Sequence, residues 1–443
     1  MESAKKEKAP TAVGAQPRHR RANSLVFFLL RSILRPALFL LYGFRFDMRS
    51  SKGVRLPCLI LANHQTSFDQ FSVSMGFRFG INYVASDTIF RRGFLSRLMV
   101  ALVRPIPFSK GSSDLTALKS MMSVIRAGGS VAMFPSGNRS FYGDECRIVP
   151  GAGRLAKLFG VPLVLVRQRG GFNTLPRWRV KRSRGRMTAE VSRIVSREEL
   201  AAMTAGEIDD LILREIGFDE FAWNRVERQT FRGSRKAEFL ESVLFFCPEC
   251  GRMGAASGGS DGSADVIIAN ATATNATNRG LRSEGNDFFC LDCGARARID
   301  EAGFFETIGG AKNLPDTILE WNRMQIESVK AFDFSPFAEK PLFVDSDITL
   351  LSAEYAKKEH FVCNGRLEFY NDRFRISDSV FGYDFPFAET RMAIQGSRKM
   401  TFYYKDAVYA LVCPPRGNLM KYMVCGYHLK NAADGTKDEY YGY

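Results

Sequence analysis

The sequence is poor in histidine, with four in 443 residues, and its 47 acidic residues are outnumbered by 62 basic ones, which gives a formal net charge of +15. We find no internal repeat in it. Arg31 and Arg35 interrupt the apolar run near the N-terminus and no small-x-small cleavage site follows, so we do not expect a secretory signal peptide. At this length we expect two or three domains.

One of the four histidines lies in a motif that predicts an active site. His64 follows the apolar run 59–62, which indicates a buried strand, and Asp69 comes five residues later. Chance would produce this spacing only about 0.2 times in a chain of this composition. Since five residues turn an ideal helix by about 140°, the side chains meet only if His64 lies in a turn and Asp69 in the first helical turn. We predict a strand-to-helix corner with His64 as general base, held by Asp69. The alternative is a solvent-facing helix start.

A second polar loop follows another predicted strand. Residues 131–133 are apolar and lead into the sequence FPSGNRS at 134–140. In this loop Gly137 permits a tight turn, and Arg139 offers a planar set of donors suited to phosphate. A predicted helix at 154–159 and an apolar strand at 161–166 come next. The order of strand, phosphate-binding loop, helix and strand indicates an α/β domain.

These motifs resemble three ordered blocks of the glycerolipid acyltransferases, in particular the 1-acylglycerol-3-phosphate and lysophospholipid acyltransferases. NHQTSFD at 63–69 contains the complete NHxxxxD pattern of that family, FPSGNRS resembles its FPEGTRS block, and VPLVLV at 161–166 resembles a third. A looser match to a further block places Lys110 where the family usually has Arg. The resemblance covers residues 20 to 225 and implies an α/β acyltransferase domain, which we delimit at 51–225.

The resemblance also implies a reaction. An acyl group would pass from acyl-CoA or acyl carrier protein to the free hydroxyl of lysophosphatidate or a related lysophospholipid, and the product would be phosphatidate or phospholipid. His64 would take the hydroxyl proton, while Asp69 would fix the tautomer of His64. The residues expected to bind the acceptor are Lys110, Ser136, Gly137, Asn138 and Arg139.

Three positions depart from the family pattern. Ser136 stands where the family has Glu and cannot supply a carboxylate's charge, and Asn138 replaces Thr. Lys110 keeps the positive charge of Arg but loses the bidentate fork. Two alternatives therefore stay open. One is a lipid- or nucleic-acid-binding protein that keeps the fold without turnover; the other is an acyltransferase with a different acceptor, such as an ornithine lipid, a glycan or glycerol 3-phosphate.

The N-terminal region predicts contact with a membrane. The stretch 25–42 has about the length of a spanning helix, but Arg31 and Arg35 interrupt it and Pro36 should kink it. For 23–50 we predict a bent helical hairpin in the interface, with both arginines at the headgroups, after a basic disordered tail at 1–22. A core helix of a soluble protein is the alternative. We expect a peripheral or monotopic protein on the cytoplasmic face of a membrane.

Two segments carry much of the positive charge. Residues 1–55 contain twelve Lys or Arg against three acids, and residues 167–197 contain ten against one. Such a field favours an anionic partner, and lipid headgroups, CoA phosphates and nucleic acid all qualify. Because the resemblance implies lipid chemistry, we expect membrane phospholipids as partners and no nucleic acid.

Two Cys-x-x-Cys-Gly motifs predict a structural zinc site. Cys247 with Cys250, and Cys290 with Cys293, would each turn both sulfurs toward one ion, and four thiolates leave no open position for catalysis. The 39 residues between the pairs exceed the usual spacing. We therefore predict a zinc ribbon at 243–303 with a disordered insertion at 254–286. Disulfides are the alternative, but nine cysteines is an odd number, so we favour a reducing cytosol.

The rest of the chain is divided by composition. We predict a polar linker at 226–242, a helical connector at 304–340 and a small antiparallel β domain at 341–443, whose short strands resemble the rhythm of the pleckstrin-homology-like barrels. Capping-box spacing at Ser196 and Thr204 predicts two helices that close the acyltransferase domain. The expected fold class is an α/β acyltransferase-like domain preceded by an interfacial helical segment and followed by a zinc ribbon and a small antiparallel β domain.

Overall fold

A computed structural model gives the fold of most of the chain. It describes residues 20–86, 100, 102–108, 115–145, 148, 151–254, 280–353, 359–396, 398–405 and 407–436. Lys110 lies outside these ranges, as do most of the predicted tail at 1–22 and most of the predicted insertion at 254–286.

A seven-stranded, mostly parallel sheet organises the N-terminal half. Its strands are β1 Arg45–Phe46, β2 Cys58–Ala62, β3 Ile81–Ser86, β4 Ile106–Phe108, β5 Ser130–Met133, β7 Leu163–Arg169 and β8 Thr188–Val195, while β6 Asp144–Glu145 pairs separately with β9 Phe218–Asp219. The order is β1-β8-β7-β2-β5-β3-β4, and within it the pair β7–β8 is antiparallel. All five residues of the central β2 are buried. A continuous apolar strand is expected where both faces of a sheet are covered.

Helices cover both faces of this sheet. They are α1 Ser24–Tyr42, α2 Asp69–Ser74, α3 Leu115–Arg126, α4 Ala152–Phe159, α5 Gly171–Thr174, α6 Arg197–Ala202, α7 Ala205–Ile216 and α8 Glu220–Glu227. The apolar sides of α3, α4 and α7 pack on one face, and α1 contributes to the core on the other. Ser196 caps α6, and Thr204 with Glu207 forms a capping box at α7, which confirms the two helices predicted from those residues.

The first helix is continuous where a hairpin was predicted. The side chain of Asn23 accepts from the N–H of Leu25 at its start, and Gly43 ends it with φ of 67°. Pro36 lies inside the helix without ending it. Among the described residues, α1 is the one helix long and apolar enough to cross a membrane.

The two sides of α1 have different surroundings. Leu38 is buried, Phe27 and Leu34 pack against the same core, and Arg31 donates a 2.8 Å hydrogen bond to the carbonyl of Phe77. We expected Arg31 at the headgroups, but its guanidinium lies against the protein, where it donates to the Phe77 carbonyl. Arg35 is exposed. The outer side presents Leu25, Phe28, Leu29, Ile33, Phe39, Leu40 and Leu41.

The region around the cysteine motifs forms a ribbon and a helix. The strands β10 Leu281–Glu284, β11 Asp287–Cys290, β12 Arg296–Ile299 and β13 Phe305–Ile308 make an antiparallel sheet, which we call the ribbon, and α9 Ile318–Lys330 follows it. The range predicted as a helical connector thus contains both a strand and a helix. The indole Nε1 of Trp321 donates to the carbonyl of Phe246 at 2.7 Å, which fastens α9 to the first cysteine turn.

The C-terminal part is a second seven-stranded sheet, antiparallel throughout, with a helix packed on it. Its strands are β14 Phe343–Ala353, β15 His360–Phe369, β16 Arg373–Ser377, β17 Gly382–Pro386, β18 Thr390–Gly396, β19 Lys399–Tyr404 and β20 Ala407–Val412, and α10 Met420–Asp434 follows. The order is β17-β16-β15-β14-β20-β19-β18. Short 3₁₀ helices occupy Leu240–Ser242, Ser335–Phe337 and Phe387–Glu389. The Tyr422 hydroxyl donates to Asp345 at 2.6 Å and fixes α10 against β14.

One apolar core joins these parts. It runs from Phe172 and Trp178, beside the parallel sheet, through Phe288 of the ribbon to Phe343 and Tyr422 of the C-terminal sheet. Continuous packing of this kind holds neighbouring units in a fixed relation, since any displacement would expose buried aromatic surface.

Candidate active site

His64 and Asp69 meet at the carboxyl end of β2. The chain leaves β2 at Ala62, turns, and enters α2 at Asp69, which places His64 Nδ1 2.7 Å from Asp69 Oδ2. The His64 side chain is 19 % exposed, whereas that of Asp69 is fully buried. The carboxylate therefore lies behind the imidazole, and the imidazole reaches the surface.

Local backbone geometry fixes the Asp69 carboxylate. The N–H groups of Gln65 and Thr66 donate to Oδ2 at 2.5 and 2.8 Å, and the Thr66 hydroxyl donates to Oδ1. A carboxylate that already accepts these bonds acts as an acceptor toward the imidazole, so His64 carries its proton on Nδ1. Its basic lone pair then lies on Nε2, which is the form that a general base requires.

The loop at 134–140 forms a wall of the same site. The N–H of Ser140 donates to the carbonyl of His64 at 3.1 Å, and the Phe134 ring stacks on the imidazole with centroids 4.1 Å apart. Gly137 has φ of 73° and donates to the carbonyl of Phe134 at 3.0 Å. This tight turn needs a residue that tolerates positive φ, which glycine does.

Four of the five predicted acceptor-binding residues lie in this loop, at positions 136–139. Ser136 Oγ donates to the Asn138 carbonyl at 3.0 Å, so this serine braces the turn. Arg139 is half-buried and close enough for its charge to act on His64. Lys110 lies outside the described residues.

A second arginine, which we did not single out from the sequence, joins Arg139. Arg177 Nη1 donates to the Arg139 carbonyl at 3.0 Å, and its guanidinium lies 3.7 Å from the centre of the Phe141 ring. Burial, and next the charge of Arg139, hold the pKa of Arg177 well below its usual value. The one indication of its role in the sequence was its place in the basic segment 167–197, where it is one of ten basic residues.

The protonation of His64 is set by opposing effects. Burial is the largest and lowers its pKa, Asp69 raises it through hydrogen bonding and charge, and Arg139 and Arg177 lower it again. The net direction is downward, which favours the neutral imidazole. Burial also lowers the pKa of Arg139. Two guanidinium groups beside a neutral imidazole form a site that attracts an anion.

A buried carboxyl group, also missed from the sequence, supports the His64 turn from behind. Glu220 Oε2 accepts from Gln65 Nε2 at 3.1 Å and from the N–H of Gly170 at 3.2 Å, while Gln65 Oε1 accepts from the N–H of Gly171 at 2.9 Å. Burial raises the pKa of Glu220 to about 7. Since the backbone of Gln65 also holds Asp69, Glu220 connects β7 and α8 to the His64–Asp69 pair.

The two central strands are joined beside this pair by a reciprocal amide contact. Asn63 Nδ2 donates to the Gln168 carbonyl at 2.8 Å, and the Gln168 N–H donates to Asn63 Oδ1 at 2.7 Å. Both side chains are buried. Fully satisfied buried networks of this kind hold loops in a single geometry.

The four cysteines of the two knuckle motifs converge at one point. Cys247, Cys250, Cys290 and Cys293 have their ligand atoms within 4.8 Å of one another. The Sγ atoms of Cys247 and Cys293 are 3.8 Å apart and those of Cys250 and Cys290 are 3.9 Å apart. A tetrahedral ion with metal–sulfur bonds of about 2.3 Å requires sulfurs about 3.8 Å apart. The cluster therefore fits one metal ion.

The two cysteine turns have matching backbone geometry. The N–H of Gly251 donates to the Cys247 carbonyl, and the N–H of Gly294 donates to the Cys290 carbonyl, each at 2.9 Å. Both glycines have positive φ, 70° and 76°. This geometry turns the second sulfur of each pair back toward the first, which is why both motifs end in glycine.

Comparisons with known proteins concern the N-terminal half. Residues 45–167 match the model of the Acyltransferase family, and this range contains His64, Asp69 and the loop at 134–140. The crystal structure of the 1-acyl-sn-glycerophosphate (LPA) acyltransferase PlsC from Thermotoga maritima is 15 % identical to this chain, over 45 % of this chain and 79 % of that one, with a TM-score of 0.38. No curated protein matches the chain.

Proposed function

We propose that this chain, whose residues 45–167 match the Acyltransferase family model, is a membrane-associated O-acyltransferase that acylates lysophosphatidate or a related lysophospholipid. The acyl donor would be acyl-CoA or acyl carrier protein. The observation that carries the proposal is the His64–Asp69 pair, held by backbone donors and joined to the 134–140 loop.

The proposed chemistry is direct transfer without an acyl-enzyme. His64 Nε2 takes the proton of the acceptor hydroxyl as its oxygen attacks the thioester carbonyl carbon. The carbon–oxygen bond forms, the carbon–sulfur bond breaks, and the leaving thiolate receives the proton from the imidazolium. Asp69 holds the imidazole orientation and stabilises the imidazolium between these steps.

Acceptor binding is assigned to the charged loop. Arg139 would hold the phosphate of the acceptor, since a guanidinium binds phosphate through parallel hydrogen bonds. Gly137 lets the backbone approach the headgroup, and Ser136 and Asn138 shape the turn. The family has a glutamate where this chain has Ser136. Acceptor recognition here would therefore depend on the Arg139 guanidinium rather than on an arginine and a carboxylate together.

The outer face of α1 supports a location at a membrane surface. Its exposed leucines, phenylalanines and isoleucine would lie in the headgroup region, as apolar faces of interfacial helices do. The active site would then open toward the lipid from which the acceptor comes. We place the protein on the cytoplasmic side, where free thiols persist.

Zinc is the metal we assign to the four-cysteine cluster. Four thiolates at tetrahedral spacing suit zinc, and a closed coordination shell makes its role structural. Cys247, Cys250, Cys290 and Cys293 would hold it, and the ion would stabilise the ribbon.

Purified full-length protein, lipid vesicles and a thiol-detecting reagent test the proposal. With oleoyl-CoA and lysophosphatidate, free CoA thiol should appear together with phosphatidate in equal amounts, and neither should form with His64→Ala. A protein that binds lysophosphatidate but releases no thiol from either donor would instead be a lipid-binding protein. Thiol release with glycerol 3-phosphate, and none with lysophospholipids, would show that the enzyme acylates glycerol 3-phosphate instead.

A further inference from the structure

A small cavity lies where the parallel-sheet domain, the linker and the ribbon meet. We call it the junction cavity. Its walls include Asn173, Trp178 and Arg179 after β7, Lys236 of the linker, and Gly303 and Phe305 of the ribbon. His64, Asp69 and Arg139 do not line it.

The polar groups that line the junction cavity include three donors in need of acceptors. Asn173 Nδ2, Trp178 Nε1 and Arg179 Nε are buried and have no hydrogen-bond partner among the described residues. The three residues are only 7 %, 4 % and 6 % exposed. Buried donors almost always have partners, so three such donors around one space indicate an acceptor that the protein does not itself provide.

Two buried cations add charge to these donors. Arg179 Nη2 donates to the carbonyls of Asn173 and Thr174 and to Ser183 Oγ, and Lys236 Nζ donates to the carbonyl of Asp300. These acceptors are neutral. Within the described ranges no carboxylate oxygen lies within 4.0 Å of either cation. Lys236 is only 4 % exposed.

Two cationic side chains, Lys236 and Arg179, line the cavity, and the carboxylates of Asp300 and Glu301 lie near Lys236 without forming a salt bridge with it. Burial lowers the pKa of Lys236, the charges of Asp300 and Glu301 act against this, and that of Arg179 acts with it. Burial lowers the pKa of Arg179 to about 10. A buried guanidinium that pairs with no carboxylate among the described residues favours binding of an anion.

We propose that the junction cavity binds one small oxyanion of phosphate size and charge. Such an ion offers several acceptor oxygens in a tetrahedral arrangement, which suits donors arriving from several directions. It would contact segment 173–179 and Lys236 together and so fasten the linker and the ribbon to the parallel-sheet domain. This inference does not depend on the proposed acyltransferase activity.

Equilibrium dialysis of the full-length protein with radiolabelled inorganic phosphate at constant ionic strength tests the proposal. The experiment uses Arg139→Ala, so that phosphate bound at the candidate active site does not contribute. We expect one phosphate per chain to remain bound. Adding Lys236→Met should weaken this binding at least tenfold, whereas adding Lys181→Met, which removes an exposed lysine of the same charge, should leave it unchanged.

Three results would overturn the proposal: no saturable binding to Arg139→Ala, equal binding after Lys236→Met, or a crystal structure grown in phosphate that has only water in the cavity. If circular dichroism shows that Lys236→Met does not fold, Trp178→Phe replaces it, because it removes one N–H and keeps an aromatic ring. That variant should weaken phosphate binding several-fold, and unchanged binding would contradict the site.

Discussion

The N–H of Ser140 donates a 3.1 Å hydrogen bond to the carbonyl of His64. This bond joins two loops that follow neighbouring strands of the parallel sheet, β2 and β5. The carboxyl ends of parallel strands meet at one edge, where ligand sites of open α/β sheets are found. Because of this bond, displacement of either loop would change the positions of both the His64 imidazole and Arg139.

Replacing His64 should abolish turnover without unfolding the protein. His64→Ala removes the proposed base, and we expect kcat to fall by 10³-fold or more, as an order of magnitude for a general base that also stabilises the leaving group. His360→Ala, at an exposed strand position, is the matched control and should retain full activity. Thiol release and circular dichroism give the two readouts, and normal turnover by folded His64→Ala would remove the base from the mechanism.

The wild-type pH profile should reflect the lowered pKa of His64. The base works when neutral, so kcat/KM should rise with pH through the pKa of His64 and then level off. Because burial lowers that pKa, the half-maximal point should lie below 6.5, the ordinary value for histidine. Stopped assays in buffers of constant ionic strength measure it. A midpoint clearly above 6.5 would mean that Asp69 outweighs burial.

Arg139 should control the choice of a phosphorylated acceptor. Arg139→Ala should raise KM for lysophosphatidate roughly 10- to 100-fold, because a charge-assisted contact to phosphate is lost, while KM for monoacylglycerol should change little. Arg193→Ala removes an exposed arginine that pairs with Glu199 and should change neither constant. If both acceptors lost affinity equally, Arg139 would support the loop rather than bind phosphate.

Sequence and structure agree best where the chemistry is local. The apolar run before His64, the glycine of the 134–140 turn and the two cysteine turns each reflect short-range geometry, so their spacing in the sequence was sufficient. Arg177 and Glu220 could not be found in this way. Their roles depend on contacts with residues far along the chain, and in the sequence each resembles an ordinary surface charge.

One helix that was not identified from the sequence, and one whose shape was mispredicted, have a similar physical explanation. In α10, the segment Met420–Tyr427 is buried on every side, so it lacks the apolar and polar alternation by which a surface helix is recognised. In α1, the interruption by Arg31 and Arg35 and the kink expected at Pro36 suggested a hairpin. The Arg31 guanidinium instead donates to the Phe77 carbonyl, and the helix continues through Pro36.

Removing one cysteine of the cluster should release the metal. Cys250→Ser should reduce bound zinc from about one per chain to a small fraction and lower the melting temperature, because metal binding and ribbon folding are coupled. Cys425→Ala removes a buried thiol of α10, outside the cluster, and should leave the zinc content unchanged. Metal analysis of the purified variants decides, and wild-type protein without zinc would refute the assignment.

The apolar face of α1 should determine vesicle binding. Ile33→Glu places a charge at a position that is 70 % exposed and should weaken sedimentation with anionic vesicles by tenfold or more. Val226→Glu adds the same charge at an exposed valine of α8 and should have little effect. Equal loss in both variants would indicate that only net charge matters.

Glu220 should make stability depend on pH in a direction opposite to that of a salt-bridged carboxylate. Burial raises its pKa from 4.5 to about 7, so between these values the folded state binds more protons than the unfolded state, and stability falls as pH rises. The size of this fall is at most about 3.5 kcal/mol, since each pKa unit corresponds to about 1.4 kcal/mol.

Glu220→Gln keeps the shape and removes the titration, so its stability relative to wild type should increase between pH 5 and pH 8. Urea unfolding at several pH values measures the difference. Glu227→Gln, at an exposed position of the same helix, should follow the wild-type curve. If Glu220→Gln also followed it, the Glu220 carboxyl would be solvated in the folded protein, and the support that it gives to the Gln65 side chain behind His64 would be lost.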